Sequence, residues 1–128
     1  MLVVEVDERD SNWERDAPRF RVYLHPGARE TTRSSTSTYD ITGADVLQVI
    51  DWAQRRAAGG VYAVALVAVD APFEALNPGL GRGLVWLVGR DGNDWPDDHE
   101  SDRHVFQRML DRRTAPVGIP EADRAPVH

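Results

Sequence analysis

The sequence predicts an α+β domain on a mainly antiparallel sheet of about five strands, in the order β-β-β-α-β-β-α, with helices packed on the sheet. Three observations carry that expectation. Phe20, Val22 and Leu24 alternate with Arg21, Tyr23 and His25, the pattern of a half-buried strand. Val46, Val49, Ile50, Ala53 and Ala57 recur at helical spacing and mark a core-facing stripe. The runs Val61 to Val69 and Gly83 to Val88 are apolar at odd and even positions alike, which predicts two central strands covered on both faces.

Taken in order, Leu2 to Val6 is apolar except for Glu5 and reads as a first strand. A polar segment around Trp13 separates it from the strand at Phe20 to His25, which His25-Pro26-Gly27 closes with a turn. Thr31 to Thr38 is all hydroxyl except for Arg33; β-branched threonines suit an exposed or edge strand running into Tyr39 and Ile41. A helix follows from about Thr42 to Ala58, with Thr42 as N-cap, Asp45 three residues on, and Gly59-Gly60 as its stop. Trp52 lies off the apolar stripe of that helix, so it either folds over a sheet edge or is exposed.

The alternating glycines of Asn77-Pro78-Gly79-Leu80-Gly81-Arg82-Gly83 precede a strand, whereas a phosphate-binding glycine loop opens a helix. They read as a mobile connection between the two strong strands. A last helix, Ser101 to about Arg113, carries Val105, Phe106, Met109 and Leu110 on one side. It is one candidate cover for the second sheet face, and a second copy of the chain is the other. Residues 1–114 are expected to form one domain, and 115–128, rich in Pro and Ala, an extended, weakly held tail.

Composition excludes whole classes of chemistry. None of the 128 residues is Cys, which removes thiolate nucleophiles, disulfides and thiolate metal sites. All 15 basic side chains are arginine, so neither a Schiff base nor a P-loop lysine is present. No apolar run approaches the roughly 20 residues of a membrane span and no signal-like segment opens the chain, which leads us to expect a cytoplasmic protein without a membrane partner. The formal net charge is −6, and Asp91, Asp94, Asp97, Asp98, Glu100 and Asp102 follow one another with no arginine between them. Such a stretch repels nucleic acid and steers basic proteins or cations.

That acidic stretch also contains the one grouping suited to a metal: His99, Glu100, Asp102 and His104, with Asp98 beside them. Glu100 and His104 share a helix face if the helix includes both. The two histidines are five apart and diverge on a helix, unlike a zincin pair, and an acidic helix start accounts for the same residues. No serine stands in a Gly-x-Ser-x-Gly elbow, and His25 has no orienting carboxylate near it in sequence. Trp95 sits inside the acidic stretch, where an indole serves either to pin the loop or to anchor a partner.

The segments Thr38-Tyr39-Asp40-Ile41-Thr42-Gly43-Ala44-Asp45-Val46, Ile50-Asp51-Trp52-Ala53 and Gly83-Leu84-Val85-Trp86-Leu87-Val88-Gly89-Arg90-Asp91 resemble an uncharacterised family of small actinobacterial α+β proteins. The resemblance covers about half of the chain and brings no activity with it. The helix followed by two strands, the second entered through a Gly-Leu-Gly loop, is also similar to immunity proteins of polymorphic toxin systems. The expectation is therefore a non-enzymatic, cofactor-free domain that presents Asp91, Asp94, Trp95, Asp97, Asp98, Glu100 and Asp102 to a basic protein partner. A metal-assisted hydrolase built on residues 97–104 and a structural or regulatory homodimer are the alternatives.

Overall fold

A computed structural model describes residues 1–11, 14, 16–25, 36–91 and 100–126. They form an α+β fold: β1 (Phe20–His25), β2 (Ser37–Ile41), α1 (Val46–Ala57), β3 (Val61–Val69), α2 (Ala71–Leu76), β4 (Arg82–Val88) and α3 (Glu100–Asp111), with single 3₁₀ turns at Glu8–Asp10 and Glu121–Asp123. The sheet has four strands in the order β2-β1-β3-β4, every neighbouring pair antiparallel.

Burial follows the side-chain alternation of the strands. Tyr62 and Val64 of β3 join Phe20, Val22 and Leu24 of β1 beneath Val49, Ile50, Ala53 and Ala57 of α1. Val61 and Ala63, on the opposite face, pack with Phe106, Met109 and Leu110 of α3, flanked by Tyr23 and Trp86. Each helix thus covers one face, and α3 is the cover for the second. A small side chain at Ala63 allows close approach there. A Cβ added to Gly89, which has φ +71°, would stand 3.1 Å from Met109 and 3.2 Å from Ala63 Cβ.

The fold departs from the sequence expectation in several places. Residues 2–6 are not a strand: they have no pairing partner, and Leu2, Val3, Val4 and Val6 are between 65% and 88% exposed. A strand exists only through its ladder, and apolar composition does not specify a partner. The sheet consequently has four strands rather than about five, and β4, expected to be central, is an edge. Val85 and Leu87 remain 51% and 44% exposed, so apolarity on both faces of β4 reflects missing cover rather than double burial. β3 alone of the two strong runs sits inside the sheet.

Local capping explains the helix boundaries. The first helix begins at Val46, not Thr42, because Asp45 accepts from the Gln48 amide at 3.0 Å while the Gln48 side chain accepts from the Asp45 amide at 3.0 Å, a reciprocal capping box. Val46, on the same stripe as Val49, Ile50 and Ala53 but now the first residue of the helix, is 36% exposed rather than in the core. Trp52 folds over the sheet edge, its ring meeting Tyr39 of β2 edge-on with centroids 5.3 Å apart.

The glycine-rich connection is held in place rather than loose. Asp70 caps α2 through the Phe73 amide at 3.1 Å, and proline fits its first turn. Glu74 then accepts from the Gly79 amide at 2.8 Å and the Gly81 amide at 2.6 Å, which lowers its own pKa. The amides that could have cradled an external anion hold a carboxylate of the chain itself. A Cβ at Gly81 would lie 2.6 Å from Glu74 Cβ, 2.7 Å from the Glu74 nitrogen and 2.8 Å from the Asp70 oxygen. Gly81→Ala is therefore expected to lose about 1–3 kcal/mol in denaturant unfolding, and Gly83→Ala, where a Cβ meets nothing within 4 Å, much less. Equal stabilities of the two variants would contradict this packing.

Candidate functional site

Asp91 follows β4 at the end of the sheet where β1 finishes and β3 starts, since His25 pairs with Val61 and Val64 with Val88. The two attachment points of the acidic stretch are fastened to the same body. Gly89 packs on Met109 and Ala63, and α3 begins at Glu100 and lies across β3. Asp94, Trp95, Asp97, Asp98 and His99 lie outside the described residues. Glu100 and Asp102 belong to the first turn of α3, and His104, also on that helix, is exposed.

Glu100 and His104 therefore share the helix, as their spacing allows. Among the described residues no three His, Asp or Glu side chains gather as metal ligands.

Beside Asp91, His25 is buried to 3% exposure, with its Nδ1 3.1 Å from Thr36 Oγ1. Burial lowers the pKa of the imidazole, and the negative charge of Asp91 opposes that shift. No carboxylate stands near His25 in sequence, so only folding brings Asp91 into its field. The hydroxyl-rich stretch thus reaches the imidazole through Thr36, while 31–35 fall outside the described residues. Thr36 contacts His25 directly, and the charge of Asp91, at the start of the acidic stretch, acts on the same imidazole.

A second polar system holds residues 115–126, expected to be an extended and weakly held tail. The segment is extended but firmly tied: Ile119 and Ala125 are buried. Gln54 of α1 donates to the Val117 carbonyl at 3.0 Å and accepts from the Val117 amide at 2.7 Å, replacing the strand partner that the segment lacks. Asp51, only 7% exposed, accepts from the Ala125 amide at 2.9 Å and from Arg55, which donates to the Ala125 carbonyl at 2.8 Å. The i, i+4 spacing of Asp51 and Arg55 is the signal by which the sequence could have revealed this clamp.

Two clefts border the clamp. One, of about 520 Å³, is lined by Arg55, Arg112, Arg113 and Arg124 together with Asp51 and Tyr62. Much of its polarity is engaged internally: Arg55 is bound to Asp51, and Arg113 Nε donates to the Leu110 carbonyl at 3.1 Å. The other, of about 430 Å³, runs between Tyr39, Ile41, Ala44, Val49, Trp52 and Pro126. Bordering this second cleft, Asp40 of β2 receives Arg21 at 2.7 and 3.1 Å and Arg19 at 2.6 Å. Arg21 first, then Arg19, draws its carboxyl down to about 2.

No family model, curated protein or solved structure matches this chain. Among the described residues no helix is long and apolar enough to cross a membrane.

Two measurements test the supports. Asp51→Ala leaves a buried backbone amide and Arg55 without their acceptor and is expected to cost about 2–3 kcal/mol. Residues 115–126 should then exchange their amide hydrogens faster than the strands do, and unchanged protection would contradict the clamp. For His25, a folded pKa below the unfolded value means that the unfolded chain binds more protons at mildly acidic pH. Its contribution is complete above the unfolded value near 6.5 and is lost as pH falls through that value toward the lower folded one. Unfolding free energy should drop as pH falls below about 6.5, with a shallower slope in His25→Gln.

Proposed function

We propose that this chain is a non-enzymatic protein-binding domain, immunity-like in working as an inhibitor, that presents residues 91–102 to a basic partner. The observation that carries this reading is the coincidence of charge and mounting. Six carboxylates, at 91, 94, 97, 98, 100 and 102, follow one another without an intervening arginine. The stretch that holds them follows β4 and joins α3, whose Met109 lies close to Gly89, the residue after β4, and to Ala63 of β3.

Fixed stems limit the entropy lost when a loop is captured, so more of the interaction energy appears as affinity. Like charges held together in this way also raise the association rate with a cationic surface, an effect that salt screens beyond about 8–10 Å. Trp95, within the stretch, supplies the kind of large apolar side chain that dominates interface energies.

Binding to a panel of cationic proteins, measured at low and at moderate salt, tests the proposal. Affinity should fall with salt, and Asp94→Arg, Asp97→Arg and Asp98→Arg combined should weaken the complex by about tenfold or more, chiefly through slower association. Trp95→Ala should act mainly on dissociation. Affinity indifferent to the triple reversal would remove this reading.

A further inference from the structure

Two unsatisfied strand surfaces occur in this chain, and they complement each other. One is the segment Leu2, Val3, Val4, Glu5 and Val6, composed almost wholly of strand-forming residues yet unpaired and exposed. The other is the outer edge of β4, which no strand among the described residues occupies and which leaves Val85 and Leu87 uncovered. Long apolar edges of this kind are open templates for an added strand.

The two edges of the sheet differ. β2, with the sequence Ser-Thr-Tyr-Asp-Ile, is short and polar and carries the Asp40 ion pairs with Arg19 and Arg21, features that discourage further pairing. β4, with Leu84, Val85, Trp86, Leu87 and Val88 in succession, has no such guard along its length. Only the β4 edge is fitted to take an apolar strand.

We propose that residues 2–6 of one protomer add as an antiparallel strand to the outer edge of β4 in a second copy, and that the exchange is reciprocal. The segment does not fold back on its own body: Asp7 accepts from the Arg9 amide at 2.9 Å to start a 3₁₀ turn, and Val3 and Val4 before it are 79% and 65% exposed. Residues 7–19 separate the segment from β1, a length that reaches about 43 Å when extended, against roughly 5 Å between adjacent strands. That span is ample for crossing to a neighbouring molecule.

Direction follows from charge. β4 opens with Arg82, which is exposed, and the acids of the segment, Glu5, Asp7 and Glu8, lie at its C-terminal end. Antiparallel addition sets that acidic end beside Arg82, whereas parallel addition sets it at the far end of β4, next to Asp91. A reciprocal exchange closes on itself as a two-fold dimer and leaves neither apolar surface open.

Sedimentation velocity of the full chain over a wide concentration range reads the outcome. The wild type should dimerise. A variant lacking residues 2–6 keeps the β4 acceptor but no donor, and Val85→Lys with Leu87→Lys keeps the donor but blocks the acceptor; each should be monomeric with an unchanged circular dichroism spectrum. Mixing the two variants should restore a heterodimer, because one provides the edge and the other the strand. A wild type that is monomeric throughout overturns the proposal. So does a deletion variant that still dimerises, which would mean that two β4 edges meet directly, and so does a mixture that stays monomeric.

Discussion

Burial of β3 on both faces is the constraint on which the rest of the fold depends. Val61 through Ala65 are all buried, and the two helices exist in their observed places because this strand offers each an apolar surface. A fully buried valine or leucine is worth about 1.5–3 kcal/mol relative to exposure, so the group of Val22, Leu24, Val49 and Val64 on the α1 side is a substantial part of the stability. On the α3 side the residues of β3 are smaller. Ala63 and Ala65 bring helix and sheet close, and Gly89, just after β4, is drawn into the same contact.

Elements whose periodicity was enforced by burial were legible in the sequence. The alternation of Phe20, Val22 and Leu24, the stripe of Val49, Ile50, Ala53 and Ala57, and the apolar side of α3 all appear where their spacing places them. Legibility failed where pairing or polar contacts decided the outcome. Residues 2–6 and β4 both have strand composition, yet composition does not say which strand has a neighbour on each side. α2 was hidden because it buries nothing, although Asp70 and the following proline mark its start. Of the candidate site, the charge was readable and its surroundings were not: the Thr36 contact with His25 and the field of Asp91 at that imidazole join residues from three separate parts of the chain.

Segments without regular pairing are held by side chains that imitate a backbone partner. Gln54 offers Val117 both a donor and an acceptor, and Asp51 with Arg55 does the same for Ala125. Glu74 satisfies two amides of the glycine turn. Buried or turn amides require such partners. Of these acceptors Asp51 is also neutralised by Arg55, whereas Glu74 satisfies its two amides and keeps its charge.

The same internal engagement applies to the bases. Arg19 and Arg21 are bound to Asp40, Arg55 to Asp51, Arg9 to Asp7, and Arg113 donates to the Leu110 carbonyl. A base paired with a nearby acid cancels much of its field at a distance, and four of the 15 arginines, Arg9, Arg19, Arg21 and Arg55, are paired in this way, whereas Arg113, bonded to a neutral carbonyl, keeps its charge. What remains unbalanced is the net charge of −6, and its densest source along the chain is 91–102. Arginine pairing in the folded body and acid concentration in one stretch are thus two sides of one arrangement. The rest of the chain is formally neutral, and the unbalanced charge lies in the stretch of sequence that follows β4 and runs into α3.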